Sequence, residues 1–132
     1  MTIEAAAPAA RQSVSILVIE DDEDNRAVLG ELLGELGYSV ACARDGADAL
    51  DLLRGLRPDM ILLDLNMPNM NGLEFRAEQR RDPALAGIPI VVMTAVDRSR
   101  DQIGELEPVE TMRKPVKLAD LLSVVKRYAR GS

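Results

Sequence analysis

The sequence predicts an α/β domain in which a doubly wound, five-stranded parallel sheet is covered by helices on both faces. Three observations carry that expectation. Short, continuous apolar runs rich in β-branched residues recur along the chain, the pattern of strands buried on both sides. Segments of helical period separate them, giving the order βαβαβαβαβα, and right-handed crossovers then wind the helices onto both faces. The length of 132 residues suits one core, since a single domain usually spans roughly 100–200 residues.

Residues 1–13, with Ala5, Ala6, Ala7, Pro8, Ala9 and Ala10, offer little that can pack and read as a disordered tail, leaving 14–132 as the domain. The first strand is expected over Ile16–Ile19. A helix follows on the stripe Leu29, Leu32, Leu33 and Leu36, closed by Gly37 as a C-cap glycine. The second strand is Val40–Ala43, with Cys42 read as a small buried hydrophobe. Asp45 caps a second helix, with Asp48 three residues on and Ala47, Leu50 and Leu53 on its apolar side. The third strand is Met60–Leu63, opened by Pro58, and the fourth is Ile88–Met93, with Pro89 near its start. Arg98–Arg113 is the least defined stretch. It has a poor helical stripe in Ile103 and Leu106, then Pro108, then a short strand at Thr111–Arg113. Leu118, Leu121, Leu122 and Val125 mark a last helix, whose end carries Lys126, Arg127 and Arg130 against the negative end of its dipole.

Composition excludes several chemistries. The chain lacks histidine and has one cysteine, which removes Ser-His-Asp and Cys-His catalysis, histidine-ligated zinc, cysteine metal clusters and internal disulfides. Lys and Arg total 16 against 22 Asp and Glu, for a formal net charge of −6 and a pI near 4.7, the wrong balance for a nucleic-acid binder. No apolar run approaches the ~20 residues of a membrane-spanning helix. The start Met1-Thr2-Ile3-Glu4 has no basic segment of the secretory kind. A reduced, cytoplasmic location is the expectation.

In doubly wound sheets ligands bind beyond the carboxyl ends of the strands. The first strand ends in Glu20-Asp21-Asp22, the third in Asp64, the fourth in Thr94-Ala95 and the fifth in Lys114-Pro115. Carboxylates crowded together hold their protons more tightly unless a cation offsets them. Mg²⁺, which favours carboxylate, carbonyl and water oxygens, suits such a cluster. Asp64 at its centre can attack phosphorus to give an aspartyl phosphate. Lys114 and the Thr94 hydroxyl then stand ready for phosphoryl oxygens. Asp22, Glu23 and Asp24 read more simply as the favourable acidic start of a helix. Asn71-Gly72 reads as turn chemistry, and Arg98 and Arg100 as a solvated loop.

These motifs resemble the receiver domain of two-component response regulators. Ile16-Leu17-Val18-Ile19-Glu20-Asp21-Asp22, with Arg26 following, is similar to that family's first strand and acidic pair. Ile61 to Gly72 is similar to its phosphoacceptor strand and loop, Val91-Val92-Met93-Thr94-Ala95 to its hydroxyl site, and Lys114-Pro115 to its lysine site. The likeness runs from about Ser13 to Tyr128. It implies a flavodoxin-like strand order of 2-1-3-4-5 and a stand-alone receiver. Asp64 would be the phosphoacceptor, and Mg²⁺ would be held by Asp21, Glu20, Asp64 and the backbone carbonyl of Asn66. Thr94 and Lys114 would contact the phosphoryl group, and the Lys114–Pro115 bond would be cis. The implied donor is a phospho-histidine on a sensor histidine kinase or a histidine phosphotransfer protein. Output would then pass through protein contact with no part for nucleic acid or membrane. A homodimer is compatible with the sequence but not required by it. Asn66 and Val96 occupy the two positions that tune the lifetime of the phosphorylated state.

One departure stands out. The family places an aromatic residue or histidine three positions before the lysine, and this chain has Thr111. The chemistry is untouched, but transmission to the surface of the fourth helix and fifth strand is expected to differ. Two other readings compete. One is a receiver-like interaction module that works without phosphorylation. The other is an aspartyl-phosphate phosphatase, which needs a second aspartate as general acid where Asn66 stands. Turnover of that kind is not expected, beyond slow self-dephosphorylation.

Overall fold

Among the described residues five strands pair in parallel, in the order second-first-third-fourth-fifth along the chain, as the likeness implied. The computed structural model describes residues 12–65, 72–94 and 100–129, with the backbone alone over 100–102. In chain order the elements are β1 (Gln12–Ile19), α1 (Glu23–Glu35), β2 (Val40–Ala43), α2 (Gly46–Leu52), β3 (Leu56–Asp64), α3 (Gly72–Arg81), β4 (Ile90–Thr94), α4 (Arg100–Leu106), β5 (Glu110–Arg113) and α5 (Leu118–Tyr128). Successive strand residues point to opposite faces. Ile16, Val18, Met60, Leu62, Val91 and Met93 accordingly pack with Leu33 of α1 and Leu121, Val124 and Val125 of α5. Leu17, Ile19, Ile61, Leu63, Ile90 and Val92 pack with Ala49 of α2, Phe75 of α3 and Leu106 of α4. Each of the larger of these side chains contributes about 1.5–3 kcal/mol by leaving water, and this two-sided burial is why the strands read as unbroken apolar runs.

Local chemistry sets the helix ends. The Asn25 amide donates to Asp22 Oδ2 at 2.8 Å, and the Asp48 amide to Asp45 Oδ1 at 2.8 Å, so both aspartates cap. Gly37 takes φ 97°, a left-handed turn that costs glycine nothing. Its amide donates to Gly34 O and that of Tyr38 to Leu33 O, closing α1 in a Schellman motif.

Several boundaries differ from expectation. β1 begins at Gln12, because Gln12–Val14 pair with Leu56–Pro58 at the start of β3. Gln12 and Ser13 therefore belong to the sheet, while residues 1–11 lie outside the described residues. Pro58 is the third residue of β3, on a stretch that β4 does not reach, since pairing with β4 starts at Ile61. β4 begins at Ile90 because Ile88 is held in the preceding turn by the Leu85 carbonyl. The sparse stripe of Ile103 and Leu106 does form a helix, α4, and both residues reach the core.

Helical stripes overstate burial. Leu36 and Leu118 remain 44% and 52% exposed, and in α5 it is Val124 that is buried with Leu121 and Val125. In α2 the buried pair is Ala49 and the C-cap Leu53, with Ala47 exposed. Cys42 is exposed, contrary to expectation. It lies on β2, a four-residue strand at the sheet edge, where one side has no neighbour to cover it. Among the described residues no helix is long and apolar enough to cross a membrane.

Candidate functional site

The strands deliver their charged residues to one edge of the sheet, the carboxyl edge where the topology creates a binding crevice. β1 leaves the sheet at Glu20, whose amide still donates to Ala43 O at 3.0 Å. Asp64 is the last residue of β3 and Thr94 the last of β4. Lys114 follows β5 directly, and its amide donates to Thr94 O at 2.8 Å, which fixes the two strand ends together. The Lys114–Pro115 bond is cis.

The side chains converge as the sequence suggested. Carboxylate oxygens of Glu20, Asp21 and Asp64 lie within 4.8 Å of one another. Lys114 Nζ stands 3.0 Å from Asp64 Oδ1 and 3.7 Å from Glu20 Oε1. Glu20 and Asp64 are each 2% exposed and Thr94 is 4% exposed, whereas Asp21 faces solvent. Two nearly buried carboxylates thus share one ammonium and sit beside a third acid.

Electrostatics shows the strain of that arrangement. Burial pushes the Glu20 carboxyl up to about 8, helped by its hydrogen bond to Asp64 and by the Asp64 charge, with Lys114 pulling the other way. Burial pulls the Lys114 ammonium down, but the hydrogen bond to Asp64 and the charges of Asp64, Glu20 and Asp21 outweigh it and raise it. Glu20 Oε2 is buried without a hydrogen-bond partner, and a buried, unsatisfied carboxylate oxygen costs about 1–3 kcal/mol or more. The donor set is all oxygen, dense in negative charge, with one oxygen left unsatisfied. These residues fit a hard divalent cation such as Mg²⁺.

Not every expected residue is brought into view. Asn66, Asn71, Val96, Arg98 and the Arg100 side chain lie outside the described residues, and the Arg100 backbone opens α4 in place of the expected loop. Gly72, read as part of a turn, is the first residue of α3. A Cβ there would meet Leu65 Cδ1 at 3.3 Å and Leu63 Cδ2 at 3.5 Å, so its role is close packing of α3 on the end of β3. Thr111 is exposed on β5, level with Val92 of β4. Sequence reasoning noted Arg26 but gave it no task. Its Nη1 donates to Glu20 O at 3.0 Å, the backbone of the site itself.

Comparison with known proteins agrees with this geometry. The chain is 33% identical over 118 residues to the polar-differentiation response regulator DivK of Brucella anthropi, a match covering 86% of this chain and 94% of that protein. It is 37% identical over 119 residues to the response regulator MprA of a Mycobacterium species, covering 89% of this chain but about half, 51%, of MprA. Among solved structures, the receiver domain of the sensor histidine kinase PA1611 from Pseudomonas aeruginosa superposes with a TM-score of 0.77 at 30% identity, covering 90% of this chain and 98% of that one. That structure holds a magnesium ion in its active-site cleft. Residues 16–126 match the model of the response regulator receiver domain. Domains of that kind are phosphorylation-dependent signalling modules of two-component systems, bind Mg²⁺ in an acidic site, and have histidine kinases and phosphotransfer proteins as partners. The chain belongs to the receiver domain family of two-component response regulators.

Proposed function

We propose that Asp64 is the phosphoacceptor of this receiver, and that a phospho-histidine on a histidine kinase or phosphotransfer protein is its donor. The observation that carries this assignment is the pairing of a nearly buried Asp64 with Lys114 Nζ at 3.0 Å inside a cluster of three carboxylates. In the transfer, the N–P bond of the donor breaks and an O–P bond forms to an Asp64 carboxylate oxygen. The bonding pair returns to the imidazole nitrogen. Lys114 holds Asp64 in place before transfer and offers its charge to a phosphoryl oxygen afterwards. The Thr94 hydroxyl, at the neighbouring strand end, donates to another. Glu20, Asp21 and Asp64, with the backbone carbonyl of Asn66, would hold Mg²⁺, whose chemistry there is to neutralise charge on the transferring phosphoryl group.

The domain then acts as a switch read by protein contact, and turns over no substrate apart from slow loss of its own phosphoryl group. Asn66 in place of a second aspartate supports that last point, because an amide cannot serve as a general acid. Intact-protein mass spectrometry after incubation with acetyl phosphate and Mg²⁺ tests the assignment. The expected result is a gain of one phosphoryl group that disappears in Asp64→Asn and when EDTA replaces the metal. A gain that survives Asp64→Asn would overturn it.

A further inference from the structure

The two acids that open the site occupy the short turn between β1 and α1. β1 ends at Ile19 and α1 begins at Glu23, so Glu20, Asp21 and the N-cap Asp22 make the whole connection. The Asp22 carbonyl is used, since it accepts from the Arg26 amide at 2.9 Å. The Glu20 and Asp21 carbonyls have left the sheet and precede the helix, so neither ladder supplies a donor.

Arg26, one turn into α1, fills that gap. Its Nη1 lies 3.0 Å from Glu20 O and 3.4 Å from Asp21 O, so one guanidinium nitrogen serves both carbonyls. A charged donor makes such bonds stronger than neutral ones. The consequence is directional. With both carbonyls held toward Arg26, the peptide planes of residues 20 and 21 are set, and with them the directions in which the two carboxylates leave the backbone. Glu20 Oε2, buried and without a hydrogen-bond partner, would otherwise have reason to turn toward solvent.

We infer that Arg26 is a positioning residue for the divalent cation and for phosphoryl acceptance, acting through the backbone of Glu20 and Asp21. The inference rests on the acidic cluster being the cation and phosphoryl site. It predicts a particular pattern of loss. Groups that hold metal ligands in place are typically worth about 10–100-fold in metal affinity. Arg26→Met should therefore weaken Mg²⁺ binding, measured by calorimetry, by about tenfold or more. In phosphorylation from acetyl phosphate, the Mg²⁺ concentration for half-maximal rate should rise by the same factor. The rate at saturating Mg²⁺ should stay within about twofold of the parent, because Asp64, Thr94 and Lys114 are untouched. Arg26→Lys keeps a charged donor on a shorter arm, so it should recover part of the affinity. It also gives the comparison if Arg26→Met does not fold.

A purely structural role would lower the melting temperature in EDTA and leave Mg²⁺ affinity of the folded protein alone. Mg²⁺ dissociation constants within twofold of the parent in both variants would overturn the inference while leaving Asp64 as acceptor. If the parent protein gained no phosphoryl group and bound no Mg²⁺, the reading of the site would fall, and the positioning role with it.

Discussion

The two halves of the sheet's carboxyl edge are built on different principles. On the side of β1 and β3, Glu20 and Asp64 are almost sealed from solvent, share Lys114, and leave one oxygen unsatisfied. On the side of β5 and α4, the corresponding positions are peripheral. β5 has four residues with only Met112 buried, and Thr111 stands exposed on it. Here α4 is fastened from beside, by α3. Arg76 Nε donates to Leu106 O at 2.8 Å, and Arg76 Nη1 to Gln79 Oε1 at 2.7 Å. Gln79, fully buried, donates in turn to Leu85 O and Ile88 O. Arg80 adds an ion pair to Glu107. The first half gathers opposite charges in a nearly buried cluster beyond the strand ends. The second is held by the Arg76 and Gln79 side chains of α3, which reach backbone carbonyls of the neighbouring segments.

That contrast is most severely tested at Lys114, the one cation among the described residues that pairs with both buried carboxylates. Lys114→Met should slow phosphoryl gain from acetyl phosphate by about 100-fold, the usual cost of removing one charged or hydrogen-bonding partner of a developing anion. Time-resolved mass spectrometry would read it. A variant within threefold of the parent would show that the charge of the acidic half is balanced elsewhere.

A second test uses pH. The folded Glu20 carboxyl is raised to about 8 from an ordinary 4.5, so the folded state binds the extra proton in between. Stability from that proton is complete below about 4.5 and is lost as pH rises through about 8. In EDTA, denaturation midpoints should therefore fall across this window, by an amount on the order of a few kcal/mol at most. Mg²⁺ should reverse the fall at the alkaline end, where the carboxylate is ionised and free to ligate. Glu20→Gln should flatten the profile. An EDTA profile that rises with pH over this range would contradict the charge balance described for the site.

The α3–α4 side should respond in the opposite sense. Arg76→Met removes the partner of Leu106 O and leaves buried Gln79 Oε1 without its donor. A loss of about 1–3 kcal/mol in stability is expected, with Mg²⁺ affinity unchanged within about twofold because Arg76 bonds to Leu106 O and Gln79 and to no member of the acid cluster. Urea titration and calorimetry measure the two quantities on the same samples.

How much of this was legible beforehand follows the same division. The buried strand cores were readable because two-sided burial leaves unbroken apolar runs at Ile16–Ile19 and Ile61–Leu63. The polar lead-in of Gln12–Val14 against Leu56–Pro58 was missed, because a pairing is a relation between segments and neither segment is distinctive alone. Cys42 was misread for a related reason: strand order decides what covers a residue, and the residue's own type does not. Glu20, Asp21, Asp64, Thr94 and Lys114 were readable from their place at strand ends. Arg26 and the Arg76–Gln79 network were not, since both act on carbonyls, and the sequence does not say which carbonyls lack partners.

Thr111 gives the finest test of the division. Its side chain is exposed on a strand at the sheet edge, level with Val92, and it touches neither Asp64 nor Lys114 by any hydrogen bond or ion pair in the site described. Thr111→Ala replaces a β-branched residue on a pleated surface, and β-propensity differences span only about 1 kcal/mol. Stability should fall by no more than about that amount. The rate of phosphoryl gain should remain within about twofold, because the acceptor, its ammonium and the acid pair are set by β1, β3 and the Lys114 amide bond to Thr94 O. Urea denaturation and mass spectrometry check the two numbers. A tenfold loss of rate would mean that β5 carries information into the reacting half, and that the exposed threonine is coupled to the acceptor across the sheet.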